Sequence, residues 1–491
     1  MNDTTATAPM PLVLFGVPFH NVSFNEAVAW AVTRMRSGKP GYIATANLDF
    51  VMQAWRDPEL QRILLEADLV VADGQPLVRF SSLFGPRLKE RVTGSDLAPM
   101  LAEACRDQGL KPYLLGAGPG VAQRAGEELQ RRYPGLEIAG CHSPPPADLL
   151  DMDHGDTLGR LSTAKPDLLL VAFGSPKQEK WINMHVRDWD VPLAIGVGGT
   201  LDFLAGAQTR APRWVQRAGV EWVWRLGTNP RRLFRRYAAN LRFLVAALAR
   251  LLPLRFGLCT AKSVPVKAPP TAALDRLDAD WVRFPRLPNE AAASAFVAKH
   301  AATEGSRSLI IDLHGVRWLS SLELGALVQL GRARRDRWRR VFLWTPSKRV
   351  GRLLHTCRLD LYLTVEDSPA RLVQALEALA ERSRVGQAAL ERPMRLHLRL
   401  PLELTAANLP EFRRMVDAEW TYARAAGGPH AVLVDGAGVQ FIDSAALGFL
   451  VGLRRRAEQT SVGLHCVGFR NGALQTVKLA RLESLLAMQA G

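Results

Sequence analysis

Three short polar stretches in the first half of this 491-residue chain pair groups that can move a proton with groups that can hold a phosphate. Thr45-Ala-Asn47 ends the apolar run YIATA, Asp73-Gly74 ends LVVAD, and Arg91-Val-Thr-Gly94-Ser-Asp96 follows soon after. A short carboxylate can take a proton from an attacking hydroxyl. An Arg nearby can hold a diphosphate through paired N–H bonds. Taken singly, Asp73 and Asn47 read better as turn caps and Arg91 as a solvated side chain. Taken together at strand ends, the two readings stand level.

Three glycine-bearing turns add backbone that can approach a ligand. LLGAGPGVA (114–122) contains Gly116, but Val121 stands where a dinucleotide loop needs its third glycine. No acid closes a second strand about 20 residues on, so a nicotinamide site is disfavoured. A phosphate-approaching turn and a plain tight turn remain equal readings there. FGSPKQEKW (173–181) runs from an apolar strand into a helix that opens with Lys177, Gln178 and Glu179. Free N–H groups at a helix start suit a phosphate or sugar oxygen, and Gln178 can both donate and accept. The plainer alternative is a capped helix with exposed polar residues. GVGGTLDFLAG (196–206) repeats the pattern with Gly198 and Asp202, a carboxylate suited to ribose hydroxyls.

These groups need elements to position them. YIATA (42–46), LVVAD (69–73), PYLLG (112–116), DLLLVAFG (167–174) and LAIGVGG (193–199) read as buried strands. Between them lie helical patterns, such as Ala98–Gln108 and Val121–Tyr133. That alternation predicts an α/β domain over residues 1–226 with a largely parallel, covered sheet. In such a sheet ligands bind beyond the carboxyl ends of the strands, where Thr45, Asn47 and Asp73 would converge.

The formal net charge is +16. Much of it is local: residues 203–262 hold eleven Arg and one Lys against the single acid Glu221. Such a patch calls for a phosphate-rich partner. Asn229-Pro230 predicts a helix start and Pro253 its stop. On that helix Leu233, Phe234, Tyr237, Leu241, Leu244, Val245, Leu248, Leu251 and Leu252 share one face, with Arg231, Arg232, Arg235, Arg236, Arg242 and Arg250 opposite. The pattern predicts a basic amphipathic appendage, residues 227–259, lying on an anionic membrane surface. Arg231, Arg236, Leu241 and Leu248 are its candidate membrane contacts, and the apolar face argues against nucleic acid. No run of about 18 uncharged apolar residues is present, so no membrane-crossing helix is expected. The N-terminus has no basic region before its short apolar run, which argues against a signal peptide. The five cysteines are widely spaced and show no zinc or disulfide pattern.

After a Pro/Ala-rich linker (260–280) comes an internal repeat. SLIIDLHGVRWLSSLELGALV from Ser308 lies on AVLVDGAGVQFIDSAALGFLV from Ala431 with a constant offset of 123 residues and no gap. Asp312 matches Asp435, Gly315 matches Gly438, Ser321 matches Ser444, and Gly325 matches Gly448. Two similar α/β domains follow, 281–385 and 393–491. Neither offers a nucleophile, base and oxyanion set, so this half is expected to bind rather than react.

The motifs TANLDF, VVADG, RVTGSDL, LLGAGPGVA, LLLVAFGSPKQEKWI, IGVGGTLDFLAG, RAPRWVQRAGVEWVWRL and NPRRLFRR, in that order, resemble the WecG/TagA/CpsF glycosyltransferases over about residues 12–237. The resemblance implies a Rossmann-like domain of the glycosyltransferase-E type. It also implies inverting, metal-independent transfer of N-acetylmannosamine or a related sugar from a UDP donor, a co-substrate rather than a cofactor. The acceptor would be a polyprenyl-diphosphate-linked sugar at the inner face of the bacterial membrane, the enzyme being cytoplasmic and peripherally attached. By the same resemblance Asp73 is the base and Thr45 and Asn47 position substrate. Arg91, Gln178, Asp202, Gly116 and Gly198 hold the donor, and Arg225, Arg232 and Arg235 reach in from the appendage. GVQFIDSAALGFL (438–450) resembles the STAS domain, in which a Ser after an Asp at a helix start is a phosphorylation switch. Asp443-Ser444 keeps that pair, with a plain helix cap the equal alternative. Ser321 follows Ser320 and precedes bulky Leu322-Glu323, a departure from the pattern. A STAS-binding regulatory protein or kinase is the implied partner, with self-association into a homo-oligomer left open. The competing class is a partner-switching scaffold with a silent transferase domain. Retention of Thr45, Asn47, Asp73 and Gln178 argues against it.

Overall fold

Strands with apolar residues on both faces need cover on both sides, and the first half of the chain is built that way. The computed structural model describes residues 8–187, 189–207, 227, 230–257, 279–301, 308–335, 341–345, 347–380, 387–391, 395–425, 428–429 and 431–482. A wholly buried antiparallel hairpin opens it, β1 (Pro11–Leu14) and β2 (Val17–His20). Six strands then form one parallel sheet: β3 (Tyr42–Ala46), β4 (Leu69–Ala72), β5 (Pro112–Gly116), β6 (Gly140–His142), β7 (Leu168–Ala172) and β8 (Leu193–Gly196). Their spatial order is β4-β3-β8-β7-β5-β6. All five strands expected from sequence are present: β3 and β5 with the expected bounds, and β4, β7 and β8 shorter by residues at their ends.

Helices cover the sheet: α1 (Phe24–Ser37), α2 (Leu48–Ala54), α3 (Pro58–Glu66), α4 (Gln75–Ser81), α5 (Gly94–Gln108), α6 (Val121–Arg132), α7 (His154–Ala164), α8 (Lys177–His185) and α9 (Thr200–Leu204). Local chemistry sets their ends. Ser23 and Glu26 form a capping box at the start of α1, and Gly38 closes it in the left-handed region. Helix α5 starts at Gly94, a turn before the expected Ala98, because the Thr93 side chain accepts from the Asp96 N–H and caps it there.

The basic appendage is a helix, α10 (Pro230–Phe256), and it runs through the expected stop at Pro253. The guanidinium of Arg349 supplies the reason: it donates to the carbonyls of Leu254 and Arg255, satisfying acceptors that a helix end leaves open. By length and composition alone, Phe234–Phe256 is long and apolar enough to cross a membrane, against the expectation of no such helix. Its apolar face is also split. Leu244, Ala247, Leu251 and Leu254 are buried, whereas Phe234, Leu241, Val245 and Phe256 are exposed.

Arg349 belongs to the first repeat copy. This copy comprises β9 (Ala279–Arg283), α11 (Glu290–Ala301), β10 (Ser308–Asp312), α12 (Ser321–Arg335), β11 (Val341–Trp344), α13 (Lys348–Thr356) and β12 (Thr364–Glu366). Its strands form a parallel sheet in the order β12-β11-β10-β9. The copy shares one compact unit with the transferase sheet. Helix α12 lies on strand β1. The Ser321 N–H donates to the Phe84 carbonyl at 2.9 Å, and Arg332 binds Asp68 at 2.7 Å and the Ala67 carbonyl at 2.7 Å. Gln61 donates to the Cys357 carbonyl at 3.0 Å.

The second copy lies in the other unit and is described by itself. It holds β13 (Gln387–Glu391), β14 (Arg395–Arg399), β15 (Glu403–Leu404), α15 (Leu409–Ala425), β16 (Ala431–Asp435), β17 (Phe441–Ile442), α16 (Ser444–Gln459), β18 (Gly463–Val467) and α17 (Asn471–Leu479), α14 being Pro369–Ala380. The order β13-β14-β16-β18 repeats the first copy's centre, with β16 flanked as β10 is. The copies differ at the edge: β13 is antiparallel to β14, whereas β12 is parallel to β11.

Close approach of α12 to β1 depends on Gly325. A Cβ there would stand 1.8 Å from the Pro11 carbonyl oxygen. Gly325→Val should therefore lower stability by roughly 1–3 kcal/mol, as overpacking does. The equivalent change in the second copy, Gly448→Val, serves as comparison. Thermal melts of both variants check it, and a wild-type midpoint for Gly325→Val would show that this packing is dispensable.

Candidate functional site

Parallel pairing brings the carboxyl ends of β4, β3, β8, β7 and β5 side by side in that order. Every strand-end group singled out from sequence therefore opens on one edge. Asp73 follows β4 and its N–H donates to the Ala46 carbonyl of β3 at 2.9 Å. Asn47 follows β3, and a Cβ on Gly74 would lie 3.9 Å from the Asn47 Cβ. The base candidate and Asn47 thus sit on adjoining strand ends, both partly exposed.

Asn47 also has the plainer role. Its side-chain oxygen accepts from the N–H groups of Asp49 at 3.0 Å and Phe50 at 3.2 Å, capping α2. The cap holds the Asn47 amide at the end of β3. Thr45 is buried and donates to the Gly196 carbonyl at 3.2 Å, linking β3 to β8. A Cβ on Gly94 would meet Thr45 Oγ1 at 3.0 Å, so the α5 start closes over it. The Val92 N–H donates to the Ala72 carbonyl at 3.0 Å, which ties the Arg91 segment to the end of β4.

The glycine turns divide in role. At Gly116, with φ of 102°, a Cβ would stand 2.9 Å from the Ala172 carbonyl of β7. Its own carbonyl accepts from Ser143 at 2.8 Å. Strand packing alone accounts for glycine there. Gly198, with φ of 52°, has open space where a Cβ would point, which leaves its backbone approachable. Asp202 lies in the first turn of α9, half-buried, and burial raises its carboxyl above the ordinary range.

Gln178 is placed differently from a ligand-facing residue. It is buried, and its amide is engaged by protein: Oε1 accepts from Gly174 at 3.2 Å and Gly198 at 3.1 Å, and Nε2 donates to Glu179 at 2.7 Å. It braces the crevice floor. Glu179 is buried as well, and burial pushes its carboxyl up to about 7. In the sequence Glu179 is one of several polar residues at a helix start. The signal was the spacing to Ile182, three residues on and fully buried, which puts both on the inward face.

Arg225 and the side chains of Arg231 and Arg232 lie outside the described residues. Arg235 is exposed on α10. Arg236, expected to face a membrane, pairs with Asp49 of α2 at 2.9 Å. A carboxylate within reach outcompetes a solvated position, so this arginine ties the appendage to the helix that Asn47 caps. Phe243 adds an edge contact to Trp55, centroids 4.8 Å apart. Leu241 is exposed as expected, whereas Leu248 is only partly so. In the repeats, Ser321 is 1% exposed against Gly85, whose Cβ would lie 2.3 Å from its hydroxyl. That packing removes it as an accessible switch. Ser444 opens α16 and is 7% exposed, with Asp443 capping the helix through the Ala446 N–H at 3.0 Å. No group of three or more metal-ligating side chains occurs among the described residues.

An N-acetylglucosaminyldiphosphoundecaprenol N-acetyl-beta-D-mannosaminyltransferase of Bacillus spizizenii is 31% identical over 216 residues, 44% of this chain and 82% of that protein. The enzyme of the same name from Staphylococcus aureus is 30% identical over 214 residues, 43% of this chain and 82% of its own length. A solved structure described as the overall structure of SLC26A9 overlaps 35% of this chain and 33% of its own, at 13% identity and a TM-score of 0.18, too distant to bear on the fold. Residues 388–490 match the STAS domain, so one STAS domain is recognised where two were expected, the first copy sharing its central strand arrangement. Residues 12–256 match the Glycosyl transferase WecG/TagA/CpsF family, and with relatives aligned over four-fifths of their length the chain belongs to that family.

Proposed function

We propose that the chain transfers N-acetylmannosamine from a UDP donor to a polyprenyl-diphosphate-linked N-acetylglucosamine at the cytoplasmic face of the bacterial inner membrane. The observation that carries this reading is the meeting of Asp73 with Asn47 and Thr45 on adjoining strand ends, in a family whose relatives above are named for that transfer. The acceptor hydroxyl attacks the anomeric carbon and its proton passes to the Asp73 carboxylate. The bond to UDP breaks on the opposite face, and UDP leaves with the electron pair, so configuration inverts. Thr45 and Asn47 hold the reacting groups in place. Arg91, Asp202 and the glycine turns take the donor, and Arg225, Arg232 and Arg235 take the diphosphate charge. No metal enters this scheme.

Asp73→Asn removes the proton acceptor and keeps the size. Turnover, read as UDP release from UDP-N-acetylmannosamine with a lipid-linked acceptor, should fall by about 10²–10⁴ with little change in donor affinity. Normal turnover by the variant would show that the base lies elsewhere.

Helix α10 supports peripheral attachment. Phe234, Leu241 and Val245 are 65%, 62% and 59% exposed, beside Arg235, Arg242 and Arg250. Each cation at an anionic surface contributes about 1 kcal/mol, screened by salt. Because Leu241 and Val245 are outside the packed face, Leu241→Glu with Val245→Glu should leave the fold intact and weaken co-sedimentation with phosphatidylglycerol vesicles. Unchanged vesicle binding by the folded double variant would assign the exposed ridge to something other than lipid.

The STAS domain is the regulatory part of the proposal. A phosphate on Ser444 would bring about −1.5 to −2 charges to a buried position beside Asp443. Ser444→Asp should therefore lose a partner that wild type and Ser444→Ala keep, and should melt earlier than either. Identical partners and melting for all three in pull-downs from the native host would leave Ser444 a plain helix-start residue.

A further inference from the structure

We propose that Glu179 is a positioning residue for transfer: it orients the Gln178 amide, and through it holds the glycine turns after β7 and β8 together beneath the sugar nucleotide. The proposal rests on the transferase reading of the crevice. A side-chain amide can sit either way round, and the wrong way here would aim an N–H at two backbone N–H groups. Gly174 and Gly198 both donate to Gln178 Oε1, at 3.2 and 3.1 Å. The Glu179 carboxylate, 2.7 Å from Nε2, is the acceptor that fixes this orientation.

The space around the pair is closed. Gln178 is 2% exposed and Glu179 1%. A Cβ on Gly196 would stand 2.5 Å from Gln178 Nε2 and 2.8 Å from Glu179 Oε1, so β8 presses directly on both. The carbonyl of that same Gly196 accepts from Thr45 Oγ1 at 3.2 Å. One bonded chain therefore runs from Glu179 through Gln178 to Gly174 and Gly198, packed against the residue that holds Thr45. Both bonded glycines have positive φ, 75° and 52°, a conformation that backbone bonds must hold in place. Glu179 itself touches no ligand position, and its effect is exerted through Gln178.

Its charge state matters to the bond. Burial raises the carboxyl to about 7, against the hydrogen bond from Gln178, which lowers it. The Tyr42 hydroxyl on β3 is pushed well above its ordinary value, first by burial and then by the Glu179 charge. The other groups acting on it are the Ser175 hydroxyl and its own backbone N–H. The ionised carboxylate is the stronger acceptor. The clamp is therefore tightest above about pH 7 and loosens below it.

The test is UDP affinity by calorimetry alongside UDP-release kinetics, from pH 6 to 8, on the full chain. Wild type should bind UDP more tightly as pH rises through 7. Glu179→Gln, which keeps an acceptor but cannot ionise, should remove that pH dependence and hold affinity near the wild-type value at pH 6. Glu179→Ala should weaken UDP binding about 3–10-fold, the worth of one hydrogen bond, with donor KM rising more than kcat falls. Gln178→Glu sets two buried carboxylates side by side and should fail. Adding Glu179→Gln to it restores a donor facing an acceptor and should recover most of the affinity. Wild-type affinity in folded Glu179→Ala, an unaltered pH profile in Glu179→Gln, or no recovery in the exchanged pair would each overturn the positioning role. Absence of UDP release by the wild-type chain would instead overturn the transferase reading.

Discussion

A buried side-chain amide must find partners for both its oxygen and its nitrogen, because leaving either unpaired costs a full desolvation penalty. Gln178 meets that requirement with two glycine N–H groups and one carboxylate. The arrangement joins the ends of β7 and β8, and β8 in turn carries the carbonyl that holds Thr45 on β3. The middle of the crevice is thus cross-tied by hydrogen bonds rather than by side-chain packing alone. Outward from it, Asn47 caps α2, α2 carries Asp49, and Asp49 holds Arg236 of the appendage helix. The polar groups form a connected path from the sheet floor to the basic helix.

The first repeat copy belongs to that construction. Its helix α12 is packed on the hairpin of the transferase half, and its Arg349 closes the end of α10. The serine equivalent to Ser444 is used to bond the Phe84 carbonyl. Gly325, one turn into that helix, admits close backbone approach. In the first copy the backbone that approaches is this chain's own. The second copy keeps the alanines that the first has replaced by Leu322 and Glu323. At the start of α16 the Ser444 N–H and hydroxyl both donate to the Glu59 carboxylate, at 2.6 and 2.8 Å.

Much of the architecture was legible beforehand because it follows from local periodicity. Strand runs such as YIATA and PYLLG are apolar on both faces, which only a covered parallel sheet satisfies. The constant offset of the repeat carried over directly to β10 and β16 and to the starts of α12 and α16. Strand-end chemistry was legible for the same reason: once the sheet is parallel, Thr45, Asn47 and Asp73 share an edge. The resemblance to a known family supplied the roles that spacing could not.

By itself the sequence determined element type, element order and the edge on which the polar groups would lie, since each follows from neighbours within a few residues. Tertiary structure decided which way side chains turn and where elements stop. Gln178 reads as a free donor and acceptor until Gly198, twenty residues away, arrives beside it. Pro253 reads as a helix end until Arg349 supplies the bonds that carry α10 on to Phe256. The apolar stripe of that helix reads as one face. Docking divides it, burying Leu244 and Leu251 and leaving Leu241 and Val245 outside. These outcomes depend on groups far apart in the chain competing for the same buried donors, acceptors and space, and no local pattern encodes which of them arrive.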